Sequence, residues 1–116
     1  MENTIKVLLS LLAAGLLATT ALAAPKSFDN VSVVDVNCSS KVADNADAHT
    51  RDCALKCEKS GFGIVTEDKQ FLKFDAAGNA KIMKQLHKSK EADHLRVNVK
   101  GDVDGDMLKV DSIKLL

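Results

Sequence analysis

The stretch of sequence that decides the fold is LRVNVKGDVDGDMLKV, which covers residues 95–110. Apolar and polar residues alternate over residues 95–103, and this period of two predicts a strand with one apolar face. Asp104-Gly105 then supplies the two residues with positive φ that a tight hairpin turn prefers. The alternation resumes at Leu108, so the pattern predicts a β-hairpin near the end of the chain.

Local patterns predict further elements before this hairpin. β-branched and aromatic residues indicate the strands. Acidic residues at the start and lysines in the last turn indicate a first helix, which ends before Gly61. Within the hairpin, a phase slip at Asp111-Ser112 predicts a bulge. In chain order, the earlier elements are a strand at 31–36, a helix at 47–60, strands at 62–66 and 70–74, and a helix from about residue 79 to residue 89.

The order strand, helix, strand, strand, helix, strand, strand restricts the fold class. Without its first helix, this is the order of an OB-type barrel, in which a helix lies between the third and fourth strands. We therefore expect an α+β, mainly β fold. It would be a small OB-like five-stranded barrel with one helix between strands 1 and 2 and another between strands 3 and 4. A small α+β sandwich built from the same elements is the alternative.

Composition and charge exclude several classes of partner. The 116 residues include 16 basic and 16 acidic residues, so we expect neither nucleic acid nor an acidic membrane surface as the main partner. The chain has four Phe, no Tyr and no Trp, which is few for a sugar-binding face or a platform on which bases stack. Serine, histidine and acidic residues form no pattern that indicates a catalytic triad, so the sequence gives no sign of catalysis.

The N-terminus has the pattern of a secretory signal peptide. Lys6 precedes an apolar run from Val7 to Leu22, and Ala21-Leu22-Ala23 matches a small-x-small cleavage site. We expect cleavage between Ala23 and Ala24. An uncleaved membrane anchor is the rival interpretation, but no basic stop-transfer cluster follows the apolar run.

Cleavage would release a short mature chain outside the cytoplasm. The predicted organisation is a signal peptide at 1–23, a polar leader at 24–30 and a single OB-like domain at 31–116. We therefore expect a periplasmic or secreted monomer with no stable membrane insertion after cleavage.

One group of residues has the chemistry of a metal site. His49, Cys53 and Cys57 are spaced four apart, so a helix would place them along one face. Cys38 lies upstream in the preceding loop and could fold back onto that face. Three thiolates and an imidazole suit zinc, and two or three thiolates suit cuprous copper. The predicted metal ligands are therefore Cys38, His49, Cys53 and Cys57.

A disulfide is the alternative use of the same cysteines, because thiols oxidise outside the cytoplasm. Cysteines four apart on a helix have Cβ atoms about 5–6 Å apart, whereas a disulfide needs about 3.5–4.5 Å. A Cys53–Cys57 bond would therefore distort a regular helix. Cys38 paired with Cys53 or Cys57 closes a loop of about 15–20 residues, which contributes about 3 kcal/mol in the chain-entropy model. One cysteine would remain a lone thiol.

The motifs taken together resemble those of a group of small exported bacterial proteins. They are Asp35-x-x-Cys38 after the first strand, His49-x-x-x-Cys53-x-x-x-Cys57, Lys59-Ser-Gly61, and a Gly-x-x-x-Gly-Asp-x-x-Lys-Val hairpin at residues 101–110. The resemblance covers nearly all of the predicted mature chain. It implies a compact OB-like domain in the bacterial envelope, and it implies that the three cysteines and His49 belong to one site. It implies no particular activity.

These observations favour an exported, non-catalytic binding or structural module of unknown ligand and partner. Its Cys/His cluster would be a disulfide that crosslinks the barrel or a site for a thiophilic metal. One alternative is a thiol–disulfide redox protein that uses Cys53 and Cys57, although such enzymes normally place a Cys-x-x-Cys pair at a helix start. Another is oligosaccharide or peptide binding on the barrel face, which an exposed cluster of Phe62, Phe71 and Phe74 would favour.

Overall fold

The fold is taken from a computed structural model that describes residues 25–116. The predicted signal peptide and its cleavage site lie outside these residues. The strands of the described part are β1 (Lys26–Asp35), β2 (Phe62–Val65), β3 (Phe71–Phe74), β4 (Arg96–Asp104) and β5 (Met107–Leu115). The α-helices are α1 (Ser39–Val42), α2 (Arg51–Lys56) and α3 (Ala76–Lys88), and there are 3₁₀ turns at Val36–Cys38, Ala46–Ala48 and Glu58–Ser60.

The strands form a closed barrel in the order β1-β2-β3-β5-β4. Neighbouring strands are antiparallel, except for β3 and β5, which are parallel. Helix α3 connects β3 to β4, while α1 and α2 lie in the connection between β1 and β2. This arrangement confirms the predicted mainly β, OB-like barrel and not the sandwich. None of the helices in residues 25–116 has both the length and the apolar content needed to span a membrane.

The β4–β5 hairpin follows the predicted alternation. Val97 and Val99 of β4 point into the barrel and are buried with Leu108 of β5, whereas Val103 near the turn is exposed. The register changes between Lys100 and Gly101, which leaves an extra residue on β5 at position 111. The predicted bulge is therefore confirmed. A side chain at Gly101 would overlap the carbonyl oxygen of Lys109, so the bulge requires a glycine there.

The turn of this hairpin lies one residue later than the sequence analysis predicts. Asp104 pairs with Met107, so Gly105 and Asp106 form the two-residue turn. Gly105 has a φ of 62°, and Asp106 is not among the described residues with positive φ. A glycine with positive φ at the first central position is typical of a type II′ turn. The predicted turn pair Asp104-Gly105 is wrong, because Gly105 is the first central residue of the turn and not the second.

β1 begins at Lys26, so most of the segment predicted as a polar leader belongs to the barrel. Its first residues pair with β4, and the register then shifts between Phe28 and Val31, where Asn30 has a φ of 53°. The prediction of a separate leader at 24–30 is wrong for these residues. Strands pair through backbone hydrogen bonds, so the exposed polar side chains of this segment gave no sign that it pairs with β4.

Helix α3 crosses from β3 to β4 and covers part of the core. It begins at Ala76, a few residues before the predicted start, because Oδ1 of Asp75 accepts a hydrogen bond from the Gly78 amide at 3.0 Å. Gly78, Ile82 and Leu86 form its buried face. A side chain at Gly78 would overlap Val110, so the glycine lets the helix lie close to β5.

The predicted helix at 47–60 is divided into shorter pieces. His49 has an extended backbone (φ −72°, ψ 122°) after the turn Ala46–Ala48. Thr50 then begins α2 as its N-cap, because its side chain accepts a hydrogen bond from the Cys53 amide at 3.1 Å. Cys57 ends α2. The prediction of one continuous helix is therefore wrong, and we refer to residues 36–61 as the β1–β2 connection.

Candidate metal centre

Asp35, the last residue of β1, organises the start of the β1–β2 connection. Its Oδ2 accepts a hydrogen bond from the Cys38 amide at 3.0 Å and so caps the turn Val36–Cys38. The Asp35 side chain is fully buried. A carboxylate has two oxygens, so Oδ1 remains available for a second partner.

His49 is that second partner. Its Nε2 lies 2.6 Å from Oδ1 of Asp35 and donates a hydrogen bond to it. The His49 amide donates to the carbonyl oxygen of Ala46 at 3.1 Å, which holds the histidine where the turn Ala46–Ala48 ends. His49 is buried, with a side chain that is 6% exposed. A charge-assisted bond of this kind satisfies both polar groups away from solvent.

Cys38 completes a group of three different ligand atoms. One carboxylate oxygen of Asp35, the sulfur of Cys38 and one ring nitrogen of His49 all lie within 4.8 Å of one another. Asp35 and His49 are buried and Cys38 is half-buried. Oxygen, sulfur and nitrogen donors this close together can hold a metal ion.

Cys57 lies beside this group without belonging to the set within 4.8 Å. Cys57 is close enough to Cys38 to contribute to the raised pKa of the Cys38 thiol. The backbone holds their two turns side by side, because the Val36 amide donates to the carbonyl oxygen of Gly61 at 2.9 Å. The Asn37 amide also donates to Oγ of Ser60 at 3.3 Å. Cys57 is therefore a fourth donor next to the cluster.

Cys53 does not join the cluster. It is exposed, and it lies in the first turn of α2 and not in the middle of a long helix. The predicted face of His49, Cys53 and Cys57 is wrong, because His49 precedes α2 and Cys57 follows it. Of the predicted metal ligands, the structure brings together Cys38 and His49, with Cys57 adjacent, and adds Asp35.

The electrostatics of the cluster favour a protonated thiol at Cys38. Burial raises the pKa of the Cys38 thiol above its usual value, and the charge and hydrogen bond of Asp35 and the neighbouring Cys57 raise it further. A bound cation would reverse this effect, since a metal ion coordinates the thiolate. Cys38, Cys53 and Cys57 are all unpaired thiols in the structure.

The barrel face lacks the aromatic cluster that would favour sugar or peptide binding. Phe62 and Phe74 are buried in the core, with exposures of 0% and 3%. Phe71 is half-buried against Gly63, where an added side chain would overlap its ring. These residues therefore stabilise the barrel and give no support to a stacking surface.

A polar cavity of about 280 Å³ lies on another side of the connection. An ion pair between Arg96 and Asp47 lines it, with Nε and Nη2 of Arg96 donating to the two carboxylate oxygens at 2.9 and 2.8 Å. A second ion pair, Lys69 with Asp44 at 3.2 Å, lies at its exposed edge. Both ion pairs neutralise their own charges, while Glu67, which also lines the cavity, forms no ion pair among the described residues.

Comparisons of the chain with protein-family models, with curated proteins and with solved structures found no match. The candidate metal centre therefore rests on its own geometry.

Proposed function

We propose that this chain is an exported, non-catalytic binding module of the bacterial envelope that holds one zinc ion through Asp35, Cys38, His49 and Cys57. The observation that carries the proposal is the group formed by Asp35, Cys38 and His49, whose ligand atoms lie within 4.8 Å of one another. Cys57 is the proposed fourth donor, because hydrogen bonds from Val36 to Gly61 and from Asn37 to Ser60 hold its turn beside that of Cys38.

The chemistry of the donors favours zinc over cuprous copper and over calcium or magnesium. Cuprous copper prefers soft thiolate and thioether ligands, and the buried carboxylate of Asp35 is a hard oxygen donor. Calcium and magnesium require oxygen ligands, whereas Cys38 and His49 supply sulfur and nitrogen. Zinc accepts all three donor types in tetrahedral sites.

The number of donors favours a structural zinc ion. Catalytic zinc sites have three protein ligands and an open position, while structural sites are closed by four. Four donors here would join the end of β1 to the turn Val36–Cys38, to His49 and to the end of α2. The ion would thus stabilise the β1–β2 connection and whatever surface it presents to a partner.

Zinc content of the reduced mature chain tests this proposal. Native mass spectrometry should detect one zinc ion per chain, and a strong chelator should remove it. Cys38→Ser and His49→Ala should lose the ion, because each removes a ligand. The matched controls Cys53→Ser and His87→Ala change exposed residues outside the cluster and should retain it. A reduced wild-type chain that binds no zinc, or a Cys38→Ser variant that retains it, would contradict the proposal.

A disulfide between Cys38 and Cys57 is the second candidate use of the site. The proposed export favours oxidation. The two turns held side by side favour Cys57 over the exposed Cys53 as the partner of Cys38. Closing a loop of about 20 residues contributes about 3 kcal/mol in the chain-entropy model. Peptide mapping of the chain isolated without reductant tests this pairing.

Export itself is part of the proposal. The apolar run and the motif Ala21-Leu22-Ala23 support it. Sequencing of the protein recovered from the periplasm or medium should give Ala24 as the first residue. Recovery of the full-length chain from the membrane fraction alone would contradict it.

A further inference from the structure

We infer that oxidation controls the metal site: a disulfide between Cys38 and Cys57 expels the ion, so that the chain binds zinc in its reduced state alone. This inference rests on the proposed zinc site and adds its regulation. Zinc coordination and the disulfide become two alternative states of one pair of sulfur atoms.

Hydrogen bonds hold the turn that carries Cys38 beside the turn that follows Cys57. The Val36 amide donates to the carbonyl oxygen of Gly61 at 2.9 Å, and the Asn37 amide donates to Oγ of Ser60 at 3.3 Å. Oγ of Ser60 in turn donates to the carbonyl oxygen of Cys57 at 2.7 Å. No proposed ligand atom takes part in these contacts, so the two turns stay side by side whether or not an ion is present.

Oxidation would leave too few ligands to hold the ion. A disulfide removes two of the four proposed donors and leaves an oxygen of Asp35 and a nitrogen of His49. Two donors are too few for a stable zinc site in a protein. Asp35 and His49 already share a hydrogen bond of 2.6 Å in a buried position, so they need no ion once the sulfurs are lost. The oxidised state therefore leaves no buried charge without a partner.

Cys53 does not compete for the disulfide bond. It is exposed on α2, and its amide is fixed by the side chain of Thr50. Residues four apart along a helix have Cβ atoms about 5–6 Å apart, which exceeds the 3.5–4.5 Å that a disulfide needs. Cys53 should therefore stay a single thiol in both states.

The chemistry balances with a low-molecular-weight disulfide as the oxidant. One zinc-bound thiolate attacks a sulfur of the oxidant, breaks its S–S bond and forms a mixed disulfide. The second thiolate then displaces the remaining half and forms the bond between Cys38 and Cys57. Two electrons pass from the protein sulfurs to the oxidant, whose two sulfurs leave as thiols after taking up two protons from water. Zn²⁺ leaves without a change in its charge.

The experiment follows zinc release and disulfide formation together. The reduced, zinc-loaded mature chain is treated with excess oxidised glutathione, and a chromogenic chelator reports the free zinc. Non-reducing peptide mapping identifies the bond. We expect one zinc ion released for each Cys38–Cys57 disulfide formed, with Cys53 still free, and reductant plus zinc should restore the loaded state. The Cys53→Ser variant is the matched control and should behave like the wild type.

Two outcomes would overturn the inference while leaving the proposed zinc site intact. They are zinc released through a bond that includes Cys53, and a loaded chain that excess oxidised glutathione leaves unchanged. Zinc retained after the Cys38–Cys57 bond has formed would contradict both the inference and the proposed ligand set. Failure of the reduced chain to bind zinc at all would instead contradict the proposed function, so the two failures are distinguishable.

Discussion

Two connections between strands of the barrel are held in place by different kinds of contact. Helix α3 links β3 to β4 and buries Gly78, Ile82 and Leu86 along one face. The β1–β2 connection is longer, yet its helical pieces are short and bury little apolar surface beyond Ala54. Polar contacts at the ends of its turns hold it in place.

The difference shows where a metal ion or a disulfide has the largest effect. Apolar burial stabilises α3 through many small contacts, each independent of redox state or metal. The β1–β2 connection depends on a few polar contacts, and the loss of one leaves buried groups without partners. A crosslink through Asp35, Cys38, His49 and Cys57 stabilises the segment that has the least apolar support.

The largest expected effect is that of His49→Ala, which tests the polar side of this comparison. It leaves the buried Oδ1 of Asp35 without a hydrogen-bond partner, and an unpaired buried acceptor that carries charge costs about 3 kcal/mol or more. Urea unfolding of the reduced, zinc-free chain measures the loss. His87→Ala is the control, because His87 forms an exposed pair with Glu58 and its loss should cost about 1 kcal/mol or less. Equal effects of the two variants would mean that the buried pair contributes little.

Leu86→Ala tests the apolar side. Leu86 is fully buried, and truncation of a buried leucine costs about 2–5 kcal/mol through lost burial and the cavity that remains. The loss in unfolding free energy should be the same with and without zinc, and Lys84→Ala on the exposed face should cost little. A cost that changes with zinc would show that α3 and the β1–β2 connection are not independent.

Gly105→Val tests the turn between β4 and β5, a third connection whose stability depends on backbone conformation alone. No atom lies within 4 Å of an added Cβ, but φ is 62°, a region that a β-branched residue resists. The expected cost is about 1–2 kcal/mol, measured as a shift in the urea midpoint. An unchanged midpoint would count against the type II′ turn.

The smallest expected effect is the pH dependence of the ion pair between Asp47 and Arg96. The hydrogen bond from Arg96 is the main cause that lowers the pKa of Asp47 from its usual 3.8. A lowered pKa contributes stability that is present above 3.8 and is lost as the pH falls through the pKa of the folded state. Since the two side chains are 35% and 31% exposed, the contribution is about 1 kcal/mol or less.

Urea unfolding of the wild type and of Asp47→Asn between about pH 6 and pH 2 measures this contribution. The difference between the two proteins should be constant at the upper end and should shrink below 3.8. If the difference in unfolding free energy between the two proteins stayed constant over the whole pH range, the ion pair would not be its cause.

The regular parts of the fold could be predicted because apolar burial leaves a periodic pattern in the sequence. The alternation of residues 95–103 predicted β4, and the phase slip near Asp111 predicted the bulge. The start of β1 at Lys26 left no such pattern, because its side chains are exposed and pairing through backbone hydrogen bonds does not require a particular type of side chain. The break in the helix at His49 was missed for a different reason. Thr50 is of a residue type that caps helices, and this start signal within residues 47–60 was overlooked.

The site was predictable in part. Spacing indicated that Cys38 and His49 lie in one cluster, but it assumed a helix that the chain interrupts, and so it included the exposed Cys53. Asp35 was noted in a motif and was not assigned as a ligand. Its signal was the position three residues before Cys38, where one oxygen of a carboxylate caps the following turn and the other can reach a second partner.

Hydrogen exchange of the reduced chain, with and without zinc, tests most directly whether a metal ion holds the β1–β2 connection. Without zinc, the amides of Cys53 and Gly61 should exchange faster than those of Val97 and Val99 in β4, because polar contacts alone close the connection. Zinc should slow exchange at Cys53 and Gly61, and it should have no effect there in Cys38→Ser. Exchange in the connection that is unchanged by zinc in the wild type would contradict the account.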